Sequence, residues 1–165
     1  MAVTFGTVVT TAGDLMGIIV SRIAALAGVP ADWVFIGEEE DGDAFVTRTN
    51  DTAIVIDYMS TSGGEWQRGG GANTQLRIAT FRVIVYRRSE LDAARQQTQA
   101  INNAVTGVNT LIETIYDGLA QWYPESAPNV AMVVEPIVGR GIRKSGRQVR
   151  GFTKMEAQFE ISFLC

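Results

Sequence analysis

The residues best suited to chemistry are charged, and they are segregated along the chain. Between Gly139 and Lys154 lie Arg140, Arg143, Lys144, Arg147, Arg150 and Lys154, with no acid among them. The first 60 residues carry only Arg22 and Arg48. Against these stand Asp14, Asp32, Glu38, Glu39, Glu40, Asp41, Asp43, Asp51 and Asp57. Guanidinium groups pair with carboxylates or phosphates, often through two parallel hydrogen bonds. A basic run of this kind is either a solvated hairpin tip or a surface for an acidic partner. Nucleic acid is one candidate partner, and another protein copy or a neighbouring subunit is the other.

Two further segments invite a ligand reading. The acidic stretch Glu38-Glu39-Glu40-Asp41-Gly42-Asp43 offers hard oxygen donors. Calcium, however, needs six to eight oxygens at fixed spacing, and the EF-hand pattern is missing, so a solvated charged loop is the plainer reading. The stretch Gly63-Gly64-Glu65-Trp66-Gln67-Arg68-Gly69-Gly70-Gly71 has the glycines of a phosphate-binding loop. It lacks the Lys-Ser/Thr of a P-loop, and the next element reads as a strand where a dinucleotide fold needs a helix. A flexible loop is the plainer reading here too. Trp66 within it either tucks into the core or awaits a partner.

The chain contains no histidine and one cysteine, Cys165. Ser-His, Cys-His and His-metal arrangements are therefore excluded, and no disulfide can form within one chain. No catalytic, cofactor-binding or metal-binding residues can be named, and no cofactor is expected. The expected class is a non-enzymatic protein made in a reducing cytoplasm. A carboxylate enzyme built around Glu38 to Asp57 is the remaining catalytic alternative.

The elements that would position these groups follow from periodicity. Ala12, Leu15, Ile19, Ile23 and Leu26 form one apolar face of a helix over Ala12 to Ala27, capped by Thr11 and ended by Gly28 and Pro30. Trp33 to Ile36 and Ala53 to Met59 read as strands. Ser60 to Thr74, polar and glycine-rich, reads as a mobile loop. Leu76 to Arg87 reads as a long strand with a bulge near Ala79. From Ser89, apolar positions recur at spacings of 3 and 4 through Leu91, Ala94, Ile101, Val105, Val108, Ile112, Ile115 and Leu119, with Thr98 the one polar member. They predict one helix spanning roughly 40 Å, bent at Gly107 and stopped by Gly118. Its seam suits packing on the chain's own sheet better than a coiled coil, because regular Glu/Lys flanks are missing. Val130 to Val138 reads as an edge strand. Met155, Ala157, Phe159, Ile161 and Phe163 alternate with charged and polar residues, predicting a half-buried closing strand with one wet face.

These elements predict a single α+β domain over residues 1–165: a mainly antiparallel sheet packed by an N-terminal helix and one long central helix, with a closing β-hairpin. At 46% hydrophobic and 19% charged, 165 residues suffice for one packed core. A net charge of −4 disfavours a surface that is basic throughout. No apolar run approaches a membrane span and the first residues do not read as a signal peptide, so no membrane association is expected.

An opening amphipathic helix, strands, a long helix and a hairpin ending in Met155-Glu156-Ala157-Gln158-Phe159-Glu160-Ile161-Ser162-Phe163 resembles the tail terminator proteins of long-tailed bacteriophages. The resemblance covers nearly the whole chain and rests on element order and the style of the last strand. It implies a virion protein of the tail and neck, made in the bacterial host cytoplasm. Such subunits form a hexameric ring that caps the tail tube, ends its polymerisation and joins tail to neck. The implied partners are further copies of the chain, the tail tube protein and neck or head-completion proteins, with DNA passing through the lumen without specific binding. The alternatives are another ring protein of the same particle, such as an adaptor or tube subunit, and a small nucleic-acid-binding protein using the 139–154 segment. The interface expected from the charges comprises Arg140, Arg143, Lys144, Arg147 and Arg150 against Glu38, Glu39, Glu40, Asp41 and Asp43, with Trp66 as a further contact.

Overall fold

Helix α1, Ala12–Ala24, exists because Leu15, Met16, Ile19 and Ile23 make one fully buried stripe. It ends three residues earlier than its periodicity predicts, and Gly28 then reverses the chain at φ 84°, a backbone conformation open to glycine. A single 3-10 turn, Ala31–Trp33, leads into the short strand β1, Val34–Ile36. The computed structural model describes residues 12–38, 52–69, 72–88, 107–123, 135–144 and 152–164. Thr11, the expected cap of α1, lies outside them.

Strands β2, Thr52–Gly69, and β3, Ala72–Arg88, pair antiparallel along almost their full lengths. The stretch expected to be a mobile loop from Ser60 to Thr74 is therefore largely strand. Backbone pairing across the hairpin, from Trp66↔Gln75 to Gly69↔Ala72, outweighs the poor strand propensity of its glycines. The expected bulge near Ala79 lies on the partner strand. β3 keeps an unbroken register with its other neighbour, while β2 slips between Tyr58 and Ser60. Leu76 and Ile78 need no bulge, since they continue the alternate row of β3 that holds Ile84 and Tyr86.

Helix α2, Val108–Leu119, carries the second half of the long apolar seam, with Val108, Leu111, Ile112, Ile115 and Leu119 buried. Gly107 precedes it in an extended conformation, φ −64° and ψ 146°. A single unbroken helix from Ser89 to Leu119 is thereby ruled out. Residues 89–106 lie outside the described part. Gly118 does not stop the helix but sits inside it, where a Cβ would lie 2.5 Å from Leu26 Cδ2. Arg22 fastens the end of α2 to α1. Its Nε donates to the Gly118 carbonyl at 3.2 Å, and its guanidinium lies 4.9 Å from the Trp122 ring centroid. This supplies a donor and a positive charge where the helix end presents unpaired carbonyls.

After α2 the chain turns through Gln121, at φ 64°. That conformation is disfavoured for a residue with a side chain, and two backbone bonds hold it: Gln121 N–H to Ile137 O at 2.8 Å, and Ile137 N–H to Trp122 O at 2.9 Å. Strand β4 then runs Val138–Lys144 and β5 runs Phe152–Leu164, antiparallel to each other. Of the edge strand expected over Val130 to Val138, residues 130–134 lie outside the described part, 135–137 are not strand, and Val138 opens β4, the rest of which lies in the basic segment.

The five strands form one mixed sheet in the order β1-β2-β3-β5-β4, antiparallel except for the β1–β2 pair. The α+β class is as expected, and the strand that pairs with β5 at the end of the chain lies further along than expected. Both helices contribute to one apolar cluster with Ile54, Ile56, Phe81, Val83, Val85, Ala157, Phe159, Ile161 and Phe163. Phe159 is its centre, stacked on Phe81 at 5.4 Å and tilted against Tyr116 at 5.6 Å. Ala53, Val55, Ile84 and Tyr86 form a second buried cluster on the opposite face, flanked by Phe35 and Phe152.

Tyr116 fills the space above Gly139, where a Cβ would lie 2.6 Å from its hydroxyl and 2.7 Å from its ring. That ring is braced by Phe159 and cannot swing away cheaply. Gly139→Ala is expected to destabilise the protein by about 1–3 kcal/mol through overpacking. Gly118→Ala meets only the end of Leu26, and gains helix propensity of about 1 kcal/mol, so it should fall near neutral. Urea denaturation of the two variants side by side checks this. Equal effects would contradict the proposed bracing.

Candidate interaction edges and the buried charge ladder

The strand order decides where the segregated charges go. β1 and β4 are the two outermost strands, so they lie at opposite edges of the sheet. β1 is flanked by exposed Asp32 and exposed Glu38, and Ile36 on it is 53% exposed. β4 presents exposed Arg140, Arg143 and Lys144. Of the acidic stretch only Glu38 falls among the described residues, and Glu39, Glu40, Asp41 and Asp43 lie outside them. Arg147 and Arg150 lie outside as well.

Trp66 stands in β2, its backbone paired with Gln75, and not in a loop as its sequence context suggests. Whether its ring is buried or presented lies outside the described residues. Near the base of the hairpin, Tyr58 and Met59 are exposed beside the end of β1. The Tyr58 hydroxyl reaches Thr61 Oγ1 at 2.6 Å across the register slip. An exposed apolar group of this kind, Ile36 with Tyr58 and Met59, is a typical feature of contact surfaces.

The first half of the basic segment is not a solvated hairpin tip. Arg140–Lys144 is strand, and two of its arginines already have partners in the same chain. Arg140 pairs with Glu160, and Arg143 Nε donates to Glu156 Oε1. Glu160 raises the Arg140 pKa, first by hydrogen bonding and then by charge.

Sequence reading misses a charge ladder on the second face of the sheet. Arg82 on β3 donates twice to Asp57 Oδ2 on β2, from Nε at 2.8 Å and Nη2 at 2.6 Å. Its Nη1 lies 3.5 Å from Glu156 Oε2 on β5, and Glu156 meets Arg143 on β4. Four strands are thus linked by alternating charge. Glu156 is 1% exposed and Lys154 is equally buried, with Nζ 5.1 Å from the Tyr86 ring centroid. The face of β5 expected to be wet is therefore covered at both positions. Paired charges are what make such burial tolerable. The signal available beforehand was Arg82 and Asp57, each set directly between two apolar or aromatic residues.

Among the described residues, no group of three His, Cys, Asp or Glu is placed to hold a metal ion. No helix among them is long and apolar enough to cross a membrane. Comparison with protein-family models and with curated proteins finds no match for the chain.

Proposed function

We propose that the chain is a structural virion subunit of a bacteriophage tail, and not an enzyme. In this reading it forms a hexameric ring that caps the tail tube, ends tube growth and joins tail to neck. The order of an opening helix, strands, a helix and a final antiparallel strand pair around one sheet supports it, although the central helix, Val108–Leu119, is shorter than the long one in the resemblance. The observation that carries the assembly reading is the β2–β3 hairpin. Its pairs from Trp66↔Gln75 to Gly69↔Ala72 run past Leu76↔Leu164, the last pair of β3 with β5. A two-stranded ribbon is marginal in water, and packing against a neighbour is what stabilises one. A ring contact or a contact with the tube beneath provides that packing.

The rival within the same particle is an adaptor or a tube subunit. The nucleic-acid reading is weakened, because Arg140 and Arg143 are already engaged by Glu160 and Glu156. DNA would pass the lumen without being gripped.

Adding the purified protein to polymerising tail tube subunits tests the proposal. A terminator shortens the tubes in proportion to its concentration and is found at tube ends. Incorporation along the tube would indicate a tube subunit. Unchanged tubes together with salt-sensitive DNA binding would indicate the nucleic-acid reading.

A further inference from the structure

We infer that neighbouring copies join head to tail through the two edges of the sheet, the basic β4 edge of one copy against the acidic β1 edge of the next. This rests on the ring-subunit reading and assigns the surface that builds the ring. Three observations converge on it.

The edges differ in charge: exposed Asp32 and Glu38 flank β1, while β4 presents exposed Lys144, beside Arg140 and Arg143 that are balanced within the chain by Glu160 and Glu156. Both lie on one molecule at opposite ends of the strand order. A separate acidic partner would explain one edge and leave the other without a role, whereas a second copy uses both. Two different patches on the same chain make a heterologous contact, which closes into a ring when the rotation allows.

The edges are also built to avoid simple strand pairing. β4 slips register between Gly139 and Ile142, with Gly141 at φ 104°, and β1 is only three residues long. Short, bulged and charged edges resist indefinite ladder extension. The contact is therefore made by side chains, with the 53%-exposed Ile36 as its apolar centre. Lys144 is exposed and belongs to no ion pair of the buried ladder, so it is the charge on β4 that a neighbouring copy would meet.

Charge reversal tests this with two variants. One carries Lys144→Glu, the other Asp32→Lys with Glu38→Lys. Lys144 and Asp32 are exposed, so their substitutions should leave the melting temperature unchanged, and because Glu38 also has a contact within its own chain, Asp32→Lys alone is the control for the second variant. Each variant alone should self-associate about tenfold or more weakly, because like charges then face each other across the contact. An equimolar mixture should recover assembly, since each altered edge meets an edge of opposite sign and the two variants alternate around the ring. The readout is sedimentation velocity at low salt. If either reversal folds poorly, Lys144→Gln and Glu38→Gln should still weaken assembly. Rings that form unchanged from each variant alone would overturn the edge assignment while leaving the ring reading intact. A wild-type protein that never assembles would overturn both.

Discussion

Phe159→Ala is expected to lower stability by about 3–5 kcal/mol, the largest effect of any single substitution proposed for this chain. Phe159 is fully buried on β5, which pairs with both β3 and β4. Its ring touches Phe81 from the neighbouring strand and Tyr116 from α2. Truncation therefore removes contacts between three elements at once and leaves a cavity that none of them can close alone. Tyr116 would also lose the brace that holds it over Gly139, so Phe159→Ala and Gly139→Ala should not be additive. A thermal or urea melt measures the loss, and an unchanged midpoint would contradict the placement of β5.

The second large effect is expected from the charge ladder. Arg82→Met keeps most of the side-chain volume but strands Asp57 and Glu156 as carboxylates on one covered face. Their side chains are only 11% and 2% exposed. The expected cost is roughly 2–4 kcal/mol, somewhat below that of a fully buried pair because Arg82 keeps some exposure and Arg143 still serves Glu156. Adding Asp57→Leu and Glu156→Leu to Arg82→Met should recover much of the loss, since an apolar replacement leaves no charge uncompensated. Denaturant midpoints of the single and triple variants decide it. If the single variant is as stable as the wild type, the ladder is a surface feature.

The same ladder constrains how the basic segment can be probed. Replacing Arg143, Lys144 and Arg147 together mixes two effects, because Arg143 compensates Glu156 within the chain. Lys144 is the cleaner position.

The parts of the fold that periodicity reveals are those where one face is apolar and local. β5 alternates without a break from Met155 to Phe163, and α1 repeats at helical spacing, so both are legible from residue types alone. The β2–β3 hairpin is not, because Ser62 and Gly63 have poor strand propensity and are held by the partner strand. β4 escapes for the same reason: Gly139, Arg140 and Gly141 read as loop, and their order comes from pairing with β5, some twenty residues away. The seam through Val105 and Val108 looks continuous because apolar spacing is blind to the extended backbone at Gly107.

For the interaction edges, the charge segregation is plain in the sequence, but its geometry is not. Only the insertion of β5 between β3 and β4 puts β4 at the edge opposite β1, the strand flanked by Asp32 and Glu38. The burial of Glu156 and Lys154 depends on the covering of the second face, to which the alternation of β5 gives no clue.

The most direct test of the account is the mass of the purified protein in solution, measured by native mass spectrometry and followed by negative-stain imaging. The account predicts a closed ring, with six copies the expected number. A protein that stays monomeric at high concentration, and also within its native particle, would contradict it.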